Sequence, residues 1–344
     1  MRPIRVLVVD DSTVVRRLVS GVLAAESDIE VVGSASSGEA ALARLPQLSP
    51  DVVTLDVDME GLSGLETLQR IRADWPRLPV IMFSALTQRG AATTIDALLL
   101  GASDYVTKPA GASSHEEAMA CVRDQLLPRI RELVRHVRVR EGPSPGRPRA
   151  GARVEAVVIG VSTGGPNALM QLLPELPADL RAPVLIVQHM PPLFTRLLAQ
   201  GLTAKCRLAV AEAEDGEPVL AGRVLLAPGG RHLEVARDAG TSAPRVRLHD
   251  GPPENSCRPS ADVLFRSAVR AYGAGVLAVV LTGMGQDGLR GAEAVREAGG
   301  AVVAQDEATS VVWGMPGFVV RAGLAEAVLP IEQVAAEIVA RVGP

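Results

Sequence analysis

A handful of side chains stand out by type and position before any fold is assigned. Asp10 and Asp11 follow the apolar run IRVLVV, Asp56 closes VVTLD, Ser84 follows VIMF, and Lys108 follows DYVT. Three carboxylates brought together repel one another unless a divalent cation neutralises them, and hard oxygen ligands with room for water suit Mg²⁺. A phosphoryl group would complete such a pocket. Asp56 could attack phosphorus while Mg²⁺, Lys108 and the Ser84 hydroxyl hold the phosphoryl oxygens, giving an aspartyl phosphate. Any one of these aspartates alone would read as a helix N-cap or a solvated strand end. Their convergence favours the pocket.

A second set lies further along. Gly160-Val161-Ser162-Thr163-Gly164-Gly165-Pro166 fits G-x-S-x-G at a strand-to-helix turn, which exposes the serine beside the free N–H groups of a helix start. Pro166 suits the first helical turn. The Gly-Lys-Ser/Thr ending of a phosphate-binding P-loop is missing, so a nucleophile fits better than a nucleotide cradle, although a plain glycine turn with a serine cap would give the same letters. His189 ends PVLIVQ, and Asp287 lies in the Met284-Gly285-Gln286-Asp287-Gly288 loop after VLAVVLTG. The roles then fit together: Ser162 attacks, His189 accepts and returns the proton, and Asp287 holds the imidazole tautomer. His232 and His249 are weaker candidates for the base, and Asp287 on its own would read as a helix N-cap.

Positioning these groups requires strands that end at one rim. IRVLVVD, EVVGSA, VVTLD, PVIMFSA and DYVTK read as five strands separated by helical patterns, and Val14, Leu18 and Val22 beside Val15, Val19 and Leu23 give helical i, i+4 spacing. Such alternation implies a parallel sheet covered on both faces, with ligands outside the carboxyl ends of its strands. EAVVIGV, PVLIVQH, RVLLAP, GVLAVVLTG and GAVVAQD repeat the grammar. RVLLAPGGRHLEV carries a Gly-Gly turn suited to a hairpin, so a mixed sheet is expected there. Residues 128–153 hold eight basic and two acidic residues and pass into Pro/Gly/Arg sequence that cannot pack a core. The expected organisation is 1–127, an Arg/Pro/Gly-rich linker over 128–153, and 154–344.

Composition excludes several classes. The 344 residues are 47% apolar, which suffices for two cores and rules out disorder throughout. Cys121, Cys206 and Cys257 are odd in number and never form CxxC, so neither a disulfide framework nor a zinc motif is expected, only buried, reduced thiols. There is no long uncharged apolar run, and aspartates come too early for a signal peptide, so a cytoplasmic location is expected. Eight aromatic residues and a net charge of -4 argue against nucleic acid as a partner.

The segments VLVVDDS, LDVDMEGLSGLE, MFSA and YVTKP resemble the receiver domain of two-component response regulators, a flavodoxin-like fold with a five-stranded parallel sheet. That resemblance implies Asp56 as phosphoacceptor, Asp10 and Asp11 with the Asp58 backbone carbonyl as further Mg²⁺ ligands, Ser84 and Lys108 as phosphoryl sensors, and Tyr105 as an aromatic switch. Glu60 departs from the family's common proline. GVSTGGP, VQHMP, LLAPGG, SADVLFRSA, LTGMGQDG and QDEATSVVWGMP resemble in succession the catalytic domain of the CheB family of chemotaxis protein-glutamate methylesterases. This implies a doubly wound, mostly parallel α/β esterase domain, with Ser162, His189 and Asp287 as a metal-free triad and Thr163, Gly164 and Met284 shaping the site. It also implies hydrolysis of glutamate γ-methyl esters and deamidation of glutamines on chemoreceptors. On the same resemblance, contact with those membrane-bound receptors would be peripheral, and a CheA-type histidine kinase would supply the phosphoryl group that releases the esterase.

Two other functions compete. A receiver-controlled DNA-binding regulator would need a basic output domain, and residues 154–344 carry 16 basic against 20 acidic residues. A catalytically silent adaptor for receptors or kinase would not need a serine, histidine and aspartate at three strand ends.

Overall fold

The computed structural model of the chain describes residues 2–85, 87–109, 114–138, 153–237 and 243–343. It divides into two units, Met1–Val139 and Arg140–Pro344.

The first unit alternates β1 (Ile4–Val9), α1 (Thr13–Ala24), β2 (Ile29–Ala35), α2 (Gly38–Leu48), β3 (Val52–Asp56), α3 (Gly64–Asp74), β4 (Val80–Ser84), α4 (Gln88–Leu99), β5 (Asp104–Thr107) and α5 (His115–Arg138). Its five strands are all parallel, in the order β2-β1-β3-β4-β5. Every residue of β3 and β4 is buried, as continuous Val/Ile runs require when helices cover both faces. Short polar residues start the helices: Ser12, Ser37 and Thr87 each accept a backbone N–H, and Ser63 with Glu66 closes a capping box. On α1 the stripe is narrower than its spacing suggests. Leu18, Val19, Val22 and Leu23 are buried, whereas Val14 is 76% exposed in the first turn. The Arg-rich stretch from 128 to 138 is the second half of α5, with Ile130, Leu133 and Val134 buried and Arg131 paired to Glu26 and Asp28. The Pro/Gly/Arg part of the expected linker, residues 139–152, lies outside the described residues.

The second unit runs β6 (Ala156–Val161), α6 (Gly165–Leu172), β7 (Val184–Gln188), α7 (Pro192–Thr203), β8 (Ala209–Glu212), β9 (Arg223–Leu226), β10 (His232–Ala236), β11 (Arg245–His249), α8 (Ala261–Tyr272), β12 (Val276–Val280), α9 (Leu289–Glu297), β13 (Ala301–Gln305), α10 (Met315–Arg321), β14 (Ala327–Leu329) and α11 (Ile331–Val342). Its seven-stranded sheet has the order β14-β13-β12-β6-β7-β9-β8, and every pairing is parallel. The mixed sheet is therefore corrected. The Gly-Gly turn does not fold RVLLAP back onto RHLEV; β10 pairs antiparallel with β11 in a separate ribbon. The reason lies at Gly229, where a β carbon would come 2.4 Å from the Met190 carbonyl oxygen, so the chain slides against the start of α7 and leaves the sheet. The first strand, β6, stands in the middle with β7 on one side and β12 on the other, which makes its carboxyl end the switch point where a crevice opens. Among the described residues no helix is long and apolar enough to cross a membrane.

Phe265 on α8 is fully buried under that crevice. Glycines make room for it: a β carbon on Gly291 would lie 2.6 Å from the Phe265 Cβ, and one on Gly160 would lie 3.3 Å from its Cζ. Replacing the ring with alanine empties the space between α8, α9 and β6. Phe265→Ala should destabilise the second unit by about 3–5 kcal/mol in urea unfolding. A loss below about 1 kcal/mol would mean that the glycine-lined contact does not hold α8 in place.

Candidate functional site

In the first unit, the carboxyl edge of the sheet collects the expected acidic groups. Asp10 and Asp56 are buried, Asp11 is exposed, and the three each offer an oxygen within 4.8 Å of the others. The Lys108 ammonium reaches Asp10 at 3.0 Å and Asp56 at 2.8 Å. Three carboxylates against one ammonium leave two negative charges, which one divalent cation would cancel, and an all-oxygen donor set suits a hard ion. Burial and the neighbouring Asp10 charge push Asp56 up to about 6 against the pull of Lys108. Burial works against the Lys108 charge, but Asp56 and Asp10 outweigh it and hold the ammonium above its ordinary range.

Local backbone contacts fix this edge. The Asp10 carboxylate accepts the Ser12 N–H at 2.8 Å, and Arg16 donates to the carbonyls of Asp10 and Asp11 at 2.7 and 2.9 Å. Asp58 donates its N–H to Asp56 at 3.3 Å. Two further expected members lie on β4 and β5. The fully buried Ser84 hydroxyl donates to the Gly90 carbonyl at 3.1 Å, in the first turn of α4. Tyr105 is buried on β5, and burial raises its hydroxyl above the ordinary tyrosine range.

In the second unit, β6 runs into a tight turn at Ser162. The Ser162 N–H donates to the Thr282 carbonyl at 3.0 Å, while its own carbonyl accepts from Gly165 N–H at 2.8 Å and from the Gln188 amide at 3.0 Å. Gly164 adopts φ +78, the left-handed region that favours glycine, and α6 begins at once with Pro166 in its first turn. Thr163 is buried, and its carbonyl accepts the Thr282 hydroxyl at 2.9 Å. Gly283 packs closely on Ser162, since a β carbon there would lie 2.7 Å from the Ser162 Cβ and 3.0 Å from its backbone nitrogen, and half-buried Met284 follows it. The Ser162 side chain itself stays partly exposed.

His189 follows β7, and its N–H donates to the Val161 carbonyl at 3.2 Å, which sets it beside the serine turn. Its Nε2 lies 2.7 Å from the Asp287 carboxylate. Asp287 is buried, yet richly supplied with donors: Ser260 Oγ at 2.7 Å, Ala261 N at 2.7 Å, Asp262 N at 3.1 Å, Gly288 N at 3.1 Å and Asn255 Nδ2 at 3.2 Å. The N-cap reading of Asp287 is thus met in an unexpected form. It caps α8, far away in sequence, from the loop before α9. Burial would raise Asp287, but His189, Ser260 and the α8 amides outweigh it and bring it down to about 2. Burial would lower His189, but Asp287 and the Cys257 thiol outweigh it and lift the imidazole to about 9.

His232 and His249 face each other on the β10–β11 ribbon with ring centroids 5.1 Å apart, and His232 gives its Nε2 to the Pro252 carbonyl. Sequence reading overlooked Asn255, which reaches both Asp287 and the buried Asp262, the latter at 2.8 Å. Asp262 lies inside SADVLFRSA, and a carboxylate two positions after Ser260 at a helix start was the available signal. The cysteines differ from expectation too: all three are free, and each is partly exposed.

Both units of the chain match known proteins. The CheB methylesterase family matches residues 157–338, and the response regulator receiver domain matches residues 6–120. A protein-glutamate methylesterase/protein-glutamine glutaminase of Trichodesmium erythraeum is 49% identical over 100% of both chains. One from a Nocardioides species is 52% identical over 99% of this chain and 96% of its own. The crystal structure of the Thermotoga maritima CheB methylesterase catalytic domain superimposes with a TM-score of 0.53 at 42% identity, covering 54% of this chain and 98% of that one.

The His189–Asp287 pair has a titration signature. Its raised imidazole stabilises the folded unit fully below histidine's unfolded value of about 6.5, and that contribution is lost as pH rises through about 9. NMR titration should place the His189 ring well above the ordinary histidine range in the wild type and bring it back towards that range in Asp287→Asn. An unchanged midpoint in the variant would sever the pair.

Proposed function

The chain belongs to the CheB methylesterase family, and from that membership we propose a phosphorylation-gated protein-glutamate methylesterase and protein-glutamine glutaminase that acts in the cytoplasm on chemoreceptor helices and serves chemotactic adaptation. The observation that carries the reading is the 2.7 Å contact between His189 Nε2 and a buried, ionised Asp287, beside a partly exposed strand-end serine.

In the neutral form of His189, which grows as pH rises towards about 9, the ionised Asp287 holds the imidazole proton on Nε2 and leaves the Nδ1 lone pair as the base. His189 takes the Ser162 proton as the serine oxygen attacks the receptor side-chain carbonyl. Backbone N–H groups of the serine turn, at Thr163 and Gly164, are the candidate oxyanion donors, and Met284 would border the substrate. The imidazolium then protonates the departing methanol or ammonia, leaving an acyl-enzyme on Ser162. His189 next removes a proton from water, which attacks the acyl carbon, frees the glutamate carboxylate and returns the serine hydroxyl. The buried Asp287 stabilises each imidazolium along the way.

Gating belongs to the first unit. Asp56 is the phosphoacceptor, with a CheA-type kinase as donor. Asp10, Asp11 and Asp56, with the Asp58 carbonyl, are the residues that would hold Mg²⁺, and the ion when bound neutralises charge on the phosphoryl oxygens. Lys108 already sits between Asp10 and Asp56 and is ready to pair with a phosphoryl oxygen. Ser84 would have to exchange the Gly90 carbonyl for the phosphoryl group, which couples the pocket to α4, and Tyr105 on β5 follows that movement.

Methanol release from methylated receptor membranes tests both parts. Wild type should release methanol faster with a small phosphodonor and Mg²⁺, Ser162→Ala should fall by about 10³-fold or more in either condition, and Asp56→Asn should show no stimulation. Retained turnover in Ser162→Ala removes the nucleophile assignment. Donor stimulation in Asp56→Asn removes the acceptor, and no release from a cognate receptor favours the silent adaptor.

A further inference from the structure

The face of His189 turned away from Asp287 meets a second group that the esterase chemistry leaves unused. Cys257 Sγ lies 3.7 Å from His189 Nδ1, and one ligand atom from each of His189, Cys257 and Asp287 falls within 4.8 Å of the other two. Zinc bonds of about 2.3 Å to sulfur and about 2.0–2.1 Å to nitrogen, at a tetrahedral angle, separate the two donors by about 3.5–3.6 Å. The observed spacing is already that of a chelating pair. Asp287 on the opposite ring nitrogen completes the carboxylate–histidine arrangement that orients metal-binding imidazoles.

The thiol is held in place. Glu254 and Cys257 exchange backbone hydrogen bonds of 3.0 and 2.8 Å across Asn255 and Ser256, whose φ angles of 52 and 62 make a tight left-handed turn. Asn255 is tied down by Asp262 and Asp287, and Glu254 by both terminal nitrogens of Arg266 at 2.7 and 2.5 Å. Cys257 is partly exposed, which leaves the other coordination positions to water.

We infer that Cys257 Sγ and His189 Nδ1 form a site for a soft divalent cation of the zinc class, and that its occupancy switches the hydrolase off. On binding, the thiol loses its proton to solvent, and the sulfur and Nδ1 each donate a lone pair to the ion with no change of oxidation state. The same Nδ1 lone pair can no longer take the Ser162 proton. This inhibition rests on the hydrolase reading; the binding site does not.

Cadmium titration of the full-length protein tests the site without substrate, because the thiolate-to-cadmium absorption band reports sulfur ligation and is blind to the acidic cluster of the first unit. The band should saturate at one ion per chain. Binding should weaken at least ten-fold in Cys257→Ser and in His189→Gln and stay unchanged in Cys121→Ser and Cys206→Ser. Equal binding by Cys257→Ser or His189→Gln, or loss of the band in either other cysteine variant, overturns the site. Zinc at a saturating concentration should stop methanol release by wild type while Cys257→Ser continues at its own metal-free rate. Turnover that persists in wild type with the site filled overturns the inhibition. A wild type that releases no methanol even without metal counts against the hydrolase reading alone, since the cadmium band is read independently.

Discussion

A carboxylate held ionised out of water governs the second unit. An unpaired buried charge costs several kcal/mol, so Asp287 can persist only because a helix start, a serine, an asparagine and an imidazole all turn towards it. Those donors come from the loop ahead of α8, from α8 itself and from the end of β7. One charge thus ties together segments that the sheet alone would leave merely adjacent, and the histidine it orients inherits that rigidity.

The first unit treats the same kind of residue in the opposite way. Asp56, like Asp287, is a buried aspartate at the carboxyl edge of a parallel sheet, but it shares its pocket with two further carboxylates and only one ammonium. Its acidity is weakened to about 6 while that of Asp287 is strengthened to about 2. Neighbours, rather than residue type or place in the fold, separate a carboxylate that stays charged from one whose charge is weakly held.

Strands ending in chemistry were the legible part. VVTLD, VIMFS, AVVIG and VLIVQ are continuous apolar runs whose next polar residue falls at the sheet's rim, so strand ends and site residues came from one pattern. The edge strands escaped notice because they are short or only partly buried: AVAE in β8 and AVL in β14 carry no run long enough to stand out. The hairpin was misplaced because Gly229-Gly230 looks the same whether it reverses a strand or lets it brush past another backbone. The contacts made by Asn255, Ser260 and Cys257 were hidden for a different reason. They depend on a turn that folds back over residues distant in sequence, and no local spacing encodes which carboxylate or imidazole a turn will meet.

The central position of β6 bears on how the protein is made. Ala156 at its start pairs with Val276, so the middle of the second sheet cannot close until the chain has been synthesised well past β12. The first unit, whose strands pair among residues 4–107, can be complete while the ribosome is still making the second. Ser162 therefore emerges long before Asp287, and for much of translation the nascent chain holds the serine turn and His189 without the carboxylate that the histidine meets. The His189–Asp287 pair can therefore form only after the first unit has had time to fold.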